Sequence, residues 1–430
     1  MSVSIKSYLP ISFSATNCRI SRLDLENFSR LALSEDGSFG AFMIGAKTIS
    51  LFSIEEQKNQ NKLETKEIGK PIELNHPITM MSFGPRKCRT YSGSSPDPKI
   101  RNPDSFFFAT GHANGSILLW DTTGLLVSQM LDHDRAITGL VFSPRQSGIV
   151  QMLSVALDGK LKVWDFEQAL IYNMCQTKVH CQPLHCLDWA EGGHLVATAG
   201  TGLTVHVYRM SMKIGEKLFE FKGHLSCVVS CKFSADATTL VTASLDTRVN
   251  LWDCLNGQLR QTLCHTYPVP QFIFGQAQVR SVGVTRSGGS VITLNDDRKL
   301  NIWNPLKMTT DVESPAELPC RIPPPMLPLR ITPEFTLNLR ESDSQHSFVT
   351  CRGGHWIGVS SLNGDSFRIH RLEVGSDLPK LSDLCRNSAR RAIAFRHDGV
   401  DLLPVPRPIR DFVNFDHKSI QNHFQIDHVG

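Results

Sequence analysis

A strand-like segment ending in an aromatic residue recurs along the chain at a fixed interval, and this period constrains the fold more than any other feature. The segments are SILLW, KLKVW, TVHVY and RVNLW, and successive copies lie 44 residues apart. The residues that end them are Trp120, Trp164, Tyr208 and Trp252. A repeat of this length builds one structural unit per copy, and each unit buries its apolar surface against the next. The sequence therefore predicts an array of small β-sheets.

Three less regular copies extend this array toward both ends of the chain. Trp303 ends a similar segment after an interval of 51 residues, Phe52 ends TISLF, and His370 ends SFRIH. The prediction is therefore seven copies. Eight copies are the alternative, which would need a further one within residues 305–345. The N-terminal segment, residues 1–24, is strand-rich and could supply the strand that closes the array.

A second set of polar residues recurs in register with the aromatic residues. A histidine precedes an aromatic strand residue by nine positions in three copies, at His133, His180 and His224. An aspartate stands six positions before the terminal tryptophan in two of the most regular copies, at Asp158 and Asp246. Aspartate is favoured in tight turns, because its side chain can accept hydrogen bonds from the turn's own backbone. The pattern predicts a turn just before each aromatic strand.

Trp-Asp pairs end three of the copies, and together with these histidines and aspartates they resemble the WD-repeat family over residues 25–374. In that family each copy folds as a four-stranded antiparallel blade, and the blades close into an all-β propeller. The resemblance also implies a buried network in which the histidine bonds the turn aspartate, and a serine or threonine links on to the tryptophan. In the best-preserved copy that link is Thr242 or Ser244. The residues assigned to the network are His133, Asp158, Trp164, His180, His224, Asp246 and Trp252.

A different pattern begins after the last repeat, with a short amphipathic helix predicted over residues 381–393. Apolar residues recur there at the i, i+3, i+4 spacing of one helical face. The residues of this face include Leu381, Leu384, Cys385 and Ala389. Arginines occupy the other surface, and Pro379 stands ahead of the helix, where its missing N–H costs little.

An extended, proline-containing segment follows at residues 403–413. It begins with Leu403, Pro404, Val405 and Pro406, and continues to the apolar residues Ile409 and Phe412. So short a region cannot bury two apolar faces against itself, so a protein partner is expected. The alternative is an ordinary surface helix followed by a proline-rich tail.

The order of these residues resembles the suppressor-of-cytokine-signalling (SOCS) box, here residues 379–415, with 416–430 as a tail. Leu381-x3-Cys385-x3-Ala389 is similar to the family's elongin-binding box, to which Leu384 also belongs. Leu403 to Pro406, with Ile409 and Phe412, is similar to its cullin-5 box. The chain as a whole thus resembles a WD-repeat and SOCS-box-containing protein.

This resemblance implies a non-catalytic substrate receptor of a ubiquitin ligase. Elongin C, with elongin B, would bind the helix, and cullin-5 with its RING-box protein would bind the proline segment. The propeller would hold a protein substrate that the sequence does not identify. The alternative is a WD-repeat scaffold for protein complexes without any ligase, and an enzyme hidden in the propeller ranks third.

Composition and motifs exclude several other classes of function. A net charge of +4 is too small to indicate nucleic acid as a partner, and no apolar run is long enough for a membrane span. Twelve cysteines without a disulfide-like spacing favour a reducing compartment, so the expected location is intracellular, in the cytoplasm with the nucleus as a further option. The sequence contains no nucleophile elbow, phosphate-binding glycine loop or paired carboxylates. We expect neither catalysis nor a cofactor.

One cluster of metal-ligand residue types stands within the fourth copy. His180, Cys181, His185 and Cys186 lie within seven residues. His180 already matches the repeat histidine, and adjacent residues of a strand, such as His185 and Cys186, point to opposite faces. No further pair completes a tetrahedral site, so no metal is predicted.

Two long loops interrupt the repeats, at residues 84–104 and 305–329. The first is basic and rich in serine and proline, and the second is rich in proline. Loops of this length are either functional or tolerated insertions, and the sequence leaves both open.

Overall fold

The computed structural model describes residues 3–7, 11–12, 30–57, 62–86, 106–121, 123–144, 150–166, 172–178, 182–210, 214–265, 278–285, 290–296, 298–305, 333, 335–339, 346–350, 356–361 and 366–374. Regular structure in these residues consists of β-strands. The first fourteen strands are β1 (Val3–Ser7), β2 (Ile11–Ser12), β3 (Leu31–Leu33), β4 (Phe39–Gly45), β5 (Thr48–Gln57), β6 (Lys62–Glu73), β7 (Ile78–Arg86), β8 (Phe106–His112), β9 (Ser116–Trp120), β10 (Leu126–Leu131), β11 (Ile137–Phe142), β12 (Gln151–Ala156), β13 (Lys160–Asp165) and β14 (Tyr172–Lys178). The others are β15 (Leu184–Trp189), β16 (Leu195–Gly200), β17 (Thr204–Met210), β18 (Ile214–Lys222), β19 (Val228–Phe233), β20 (Thr239–Ser244), β21 (Arg248–Asp253), β22 (Leu259–Cys264), β23 (Val279–Val284), β24 (Val291–Asn295), β25 (Lys299–Trp303), β26 (Phe335–Asn338), β27 (His346–Thr350), β28 (Trp356–Ser361) and β29 (Ser366–Val374).

These strands form seven antiparallel sheets, the blades of a propeller. Six blades take four consecutive strands each, from β3–β6 for blade 1 to β23–β26 for blade 6. The seventh combines β27, β28 and β29 with β1, and β2 also pairs with β29. The prediction of seven blades is confirmed. Within residues 305–345, where an eighth copy would have to lie, the described residues include β26, the outer strand of blade 6.

The first strands of the blades line up around the ring. Neighbouring first strands contact each other at every step, from β3 to β7, β11, β15, β19, β23, β27 and back to β3. All seven residues that end the repeat segments in the sequence lie on the third strand of a blade. The ring is closed by the pairing of β1 with β29, which matches Val3 with Val374 and Ser7 with His370.

The core lies between the blades rather than within them. Each sheet packs against a neighbour on both faces, so inner strands such as β12 and β15 are buried along their whole length. On β12, Met152 belongs to the cluster shared with blade 2, whereas Leu153 belongs to the cluster shared with blade 4. Because side chains alternate along a strand, each blade supplies apolar residues to two interfaces.

Several predicted segments lie outside the described residues. They include the whole SOCS-box region, residues 379–415, with its predicted helix at 381–393, and residues 416–430. Most of both long loops also lies outside, since β7 ends at Arg86 before β8 begins at Phe106, and residues 306–332 are not described.

Candidate functional site

One face of the propeller carries two kinds of connection between strands, and in five blades a backbone hydrogen bond joins the two. The turn between the second and third strands donates a backbone hydrogen bond to the loop that precedes the first strand. Leu157 N donates to Ala136 O at 3.0 Å, and Leu245 N donates to Cys227 O at 3.1 Å. Blades 2, 4 and 6 have the equivalent bonds from Ala113, Thr201 and Asp296. In these five blades the turn and the loop of this face are therefore fixed to each other.

Blade 5 contains the network that the resemblance implies. His224 Nδ1 lies 3.0 Å from Asp246 Oδ2, and His224 Nε2 lies 2.7 Å from Thr242 Oγ1. Trp252 Nε1 donates to the same Thr242 oxygen at 2.8 Å. The link is thus Thr242, because the Ser244 hydroxyl donates instead to Ser226 O at 3.0 Å. With His224 protonated on Nδ1, each of these polar groups has a partner.

Blade 3 repeats the arrangement with a serine. His133 Nδ1 lies 2.9 Å from Asp158 Oδ2, and His133 Nε2 lies 2.7 Å from Ser154 Oγ. Trp164 Nε1 donates to Ser154 Oγ at 2.8 Å. The structure therefore brings together the predicted residues of both blades. His180, assigned to the same role in blade 4, lies outside the described residues.

The turn carboxylates of both networks are held in their charged form. Burial alone would raise the pKa of Asp246, but hydrogen bonds from His224 and from the Leu225 and Arg248 amides outweigh it, so its pKa lies below the ordinary value. The pKa of Asp158 is lowered in the same way, with burial opposed by His133 and by the Lys160 amide. Each aspartate thus anchors its turn to the loop on the same face.

Sequence reasoning missed that the link residue also recurs at a fixed spacing. Thr110 accepts from Trp120 Nε1 at 3.1 Å in blade 2, and Thr293 accepts from Trp303 Nε1 at 2.8 Å in blade 6. In all four tryptophan blades the hydroxyl residue stands ten positions before the tryptophan. This offset is visible in the sequence and could have identified them.

His265 is a second residue that the sequence analysis missed. Its ring meets Trp303 edge-on at 5.1 Å, as His224 meets Trp252 at 6.3 Å. Its Nδ1 lies 3.2 Å from Asn301 Nδ2, and Thr336 supports Asn301 at 2.8 Å. Burial lowers the pKa of His265 to about 4. The signal that could have identified His265 is its position just after an outer strand, because His224 also follows an outer strand.

The turns of this face differ in their backbone between blades. Five residues before the terminal aromatic residue, blades 2 and 3 have glycines at positive φ, and blades 4, 5 and 6 have Leu203, Thr247 and Arg298 at φ of 61°, 70° and 64°. Gly115 of blade 2 has no room for a side chain, because a Cβ there would lie 2.2 Å from His133 O. A residue other than glycine in this region costs about 1–2 kcal/mol.

The two described residues of the histidine and cysteine cluster in blade 4 contact different partners. His185 Nε2 lies 3.1 Å from Thr201 Oγ1, while Cys186 Sγ contacts the carbonyl oxygens of Ala199 and Val228 at 3.8 and 3.9 Å. His180 and Cys181 are outside the described residues. Within the described part of the chain, no three side chains of metal-binding type are grouped to hold an ion.

The residues assigned to partner proteins are not among those described. The elongin-binding set is Leu381, Leu384, Cys385 and Ala389, and the cullin-binding set is Leu403, Pro404, Val405, Pro406, Ile409 and Phe412. Both sets remain sequence predictions. Among the residues that the structure does describe, no helix is long and apolar enough to cross a membrane.

Comparisons with known proteins identify the same repeats. The family model for the WD domain, G-beta repeat, matches residues 124–165 and 215–253. The crystal structure of the mitotic checkpoint complex contains a chain that superposes with a TM-score of 0.58 at 13% identity, covering 85% of this chain and 91% of that one. This likeness concerns the fold alone.

Two curated relatives carry the same combination of domains in their names. "WD repeat and SOCS box-containing protein 1" of Takifugu rubripes is 29% identical over 359 residues, covering 73% of this chain and 66% of the relative. The Homo sapiens protein of that name is 28% identical over 359 residues, covering 73% and 67%. The matched region thus spans about two thirds of the relatives' length. This chain is therefore a seven-bladed WD-repeat propeller protein related to the WD repeat and SOCS box-containing proteins.

Proposed function

We propose that this chain is the substrate-recognition subunit of an elongin B/C–cullin-5–RING ubiquitin ligase. The propeller would bind the substrate, and residues 379–415 would bind elongin C and cullin-5. The observation that carries the proposal is the pair of motifs at 381–393 and 403–413, which follow a propeller whose curated relatives are named for a SOCS box. Such a complex works inside the cell, in the cytoplasm or the nucleus.

Catalysis in such a complex belongs to the partners and not to this chain. A substrate held beside a ubiquitin-charged enzyme experiences a high effective concentration of the ubiquitin donor, which converts a bimolecular encounter into a local one. The propeller suits the holding role because turns on one of its faces are fixed to neighbouring loops by the His224 and His133 networks. Rigid presentation of a binding surface reduces the entropy lost when a partner binds.

The helix assignment predicts which residues elongin C requires. Leu381→Ala combined with Cys385→Ala should abolish co-purification of elongins B and C with the full chain, because truncating central anchors of a small interface costs ~2 kcal/mol or more each. Asn387→Ala, outside the apolar set of the same helix, is the matched control and should retain both elongins. Full retention of the elongins by the double variant would show that this helix is not the elongin-binding element.

The proline segment makes a separable prediction about cullin-5. Leu403→Ala with Pro404→Ala should leave elongin binding intact and weaken cullin-5 capture by ~10-fold or more, since both changes remove apolar contact from one small interface. The measurement is cullin-5 binding to the purified complex of this chain with elongins B and C. Simultaneous loss of elongins and cullin-5 would mean that the two motifs are not separate.

The scaffold alternative makes the opposite prediction for the isolated chain. If residues 379–415 pack on the propeller, their amides should be protected from hydrogen exchange without elongins. Under the ligase proposal these amides gain protection only when elongins B and C are added.

A further inference from the structure

Two exposed leucines lie close together on the face of the propeller that carries the His224 network. Leu203, in the turn between β16 and β17, is 41% exposed, and Leu225, in the loop before β19, is 63% exposed. Thr204 pairs with Lys222 in the sheet, so the turn of Leu203 lies next to the loop of Leu225. The other large apolar side chains exposed among the described residues lie on the outer strands β10 and β22, or just before β10. Leu203 and Leu225 therefore form an apolar pair of their own on this face.

A cationic side chain is held beside this pair by the Asp246 carboxylate. One oxygen of Asp246 accepts from the Leu225 amide at 2.9 Å, and the other accepts from the Arg248 amide at 2.9 Å. Leu225 and Arg248 are thus fixed to one buried group, which also bonds His224. Arg248 is partly buried, and its guanidinium has no ion-pair partner among the residues that the structure describes.

Backbone conformation gives a second, independent reason to assign a role to the side chains of these turns. Leu203 and Thr247 occupy the same turn position in blades 4 and 5, and both have positive φ, 61° and 70°. Blades 2 and 3 have Gly115 and Gly159 there, and glycine adopts this conformation without strain. A leucine or a β-branched threonine at positive φ is disfavoured, and such strain is concentrated at binding sites. Blades 4 and 5 therefore keep side chains where glycine would fit the backbone better.

We propose that Leu203, Leu225 and Arg248 bind a protein segment in which an apolar side chain stands next to a carboxylate. The two leucines cover the apolar side chain, and the Arg248 guanidinium pairs with the carboxylate, whose planar geometry it matches. An aspartate or glutamate side chain presents this group, and so does the C-terminus of a chain.

The charge of Arg248 favours this partner over two others. A basic segment would set a like charge against the guanidinium. A purely apolar segment would remove water from the guanidinium without replacing the lost hydrogen bonds, which is costly for a charged group. A carboxylate instead supplies a charge-assisted hydrogen bond where the water is lost.

This inference gives the substrate chemistry of the proposed receptor and so rests on the proposed function. Its test uses the full chain without elongins, so its failure is distinguishable from a failure of elongin binding. Two leucines and one ion pair make a small contact, and we expect a dissociation constant in the micromolar range.

Two displayed libraries of random dodecapeptides, selected on the full chain, identify the source of the carboxylate. In one library the C-terminus of the peptide is joined to the carrier protein, and in the other it is free. A side-chain carboxylate should enrich, from the first library, sequences with an apolar residue beside aspartate or glutamate. A terminal carboxylate should enrich sequences that end in an apolar residue, and only from the second library. No enrichment from either library, or enriched sequences of neither kind, would overturn the proposal.

Variants of the chain show whether the selected peptide binds these residues. Arg248→Gln and Leu225→Ser should each weaken its binding ~10-fold or more in fluorescence polarisation, because each removes one of the two kinds of contact. Leu203→Gly should weaken binding while the urea midpoint stays unchanged or rises, since glycine suits the positive φ of this turn. Ala237→Gly is the matched control, because it relieves a φ of 59° in the turn between β19 and β20 and should keep full binding.

Removing the carboxylate from the peptide tests the ion pair itself. Replacing the acidic side chain by its amide, or amidating the C-terminus, should weaken binding to the wild type ~10-fold and leave binding to Arg248→Gln nearly unchanged, since both changes remove the same pair. Additive losses would mean that Arg248 does not meet the carboxylate, and wild-type binding by Leu203→Gly would place the peptide on another surface. Either result contradicts the proposal.

Discussion

Replacing Asp246 by alanine should lower the free energy of unfolding by ~3–5 kcal/mol, because it leaves buried partners without their acceptor. The carboxylate bonds His224 at 3.0 Å, the Leu225 amide at 2.9 Å and, through its other oxygen, the Arg248 amide at 2.9 Å. The Asp246 side chain is only 4% exposed, so water cannot replace it at every site. Urea unfolding followed by tryptophan fluorescence measures the change.

Two further variants show whether the loss comes from the network. Asp246→Asn keeps one acceptor and should lose less stability than alanine, because the side-chain oxygen can still bond His224. Asp134→Ala removes a carboxylate on the same face that is 70% exposed and pairs with Lys160, so it should unfold as the wild type does. Equal destabilisation by Asp246→Ala and Asp134→Ala would contradict a special role for the buried network.

Acidification from pH 7 to pH 5 should destabilise the propeller through two buried histidines. Burial lowers the pKa of His265 to about 4, and burial with the nearby Arg368 charge lowers that of His370 to about 4. Unfolded histidine titrates near ~6.5, so between these values the unfolded chain binds more protons than the folded one. The free energy of unfolding is therefore highest above pH ~6.5. It falls toward pH 4, by up to ~1.4 kcal/mol per pH unit for each histidine.

His265→Gln isolates one of these contributions. It should reduce the loss of stability between pH 7 and pH 5 by ~2 kcal/mol, the product of the 1.5-unit window and the slope per histidine. The physical reason is the burial of the His265 ring, which disfavours its charged form, and a protonated ring could also no longer accept from Asn301 Nδ2. The readout is the urea midpoint at pH 7, 6 and 5. An unchanged pH dependence in the variant would mean that a group other than His265 causes the loss of stability.

Asp158 and Asp246 do not contribute between pH 7 and pH 5. Because their pKa values are lowered, the stability that they provide is lost only below pH ~4.

The aromatic period predicted the architecture because each blade must fill the same space between two neighbours. Trp120, Trp164 and Trp252 lie on third strands, and so do the less regular Phe52 and His370. A shared geometry forces a shared spacing, and a single sequence is enough to show it. The same spacing indicates the hydroxyl partner of each tryptophan.

Features that depend on local departures from the repeat could not be predicted in this way. Thr242 and Ser244 lie two apart on one strand and so share a face, and only the observed contacts distinguish them. His265 lies within the longer interval of 51 residues between Trp252 and Trp303, so its offset from Trp303 differs from that of His224 to Trp252. The exposed surface of β10 was also invisible, because an apolar segment such as LVSQML can belong to an inner or an outer strand.

The joining of β1 to β29 makes the order of synthesis matter. Residues 3–7 are made long before their partners at 370–374, which follow the strands of the first six blades in the chain. Until then the growing chain is an open arc, and blade 1 leaves bare the apolar side chains that later pack against blade 7. The arc becomes a ring only as the ribosome reaches the segment assigned to elongin, so a nascent chain must be shielded from aggregation until just before it can meet its proposed partners.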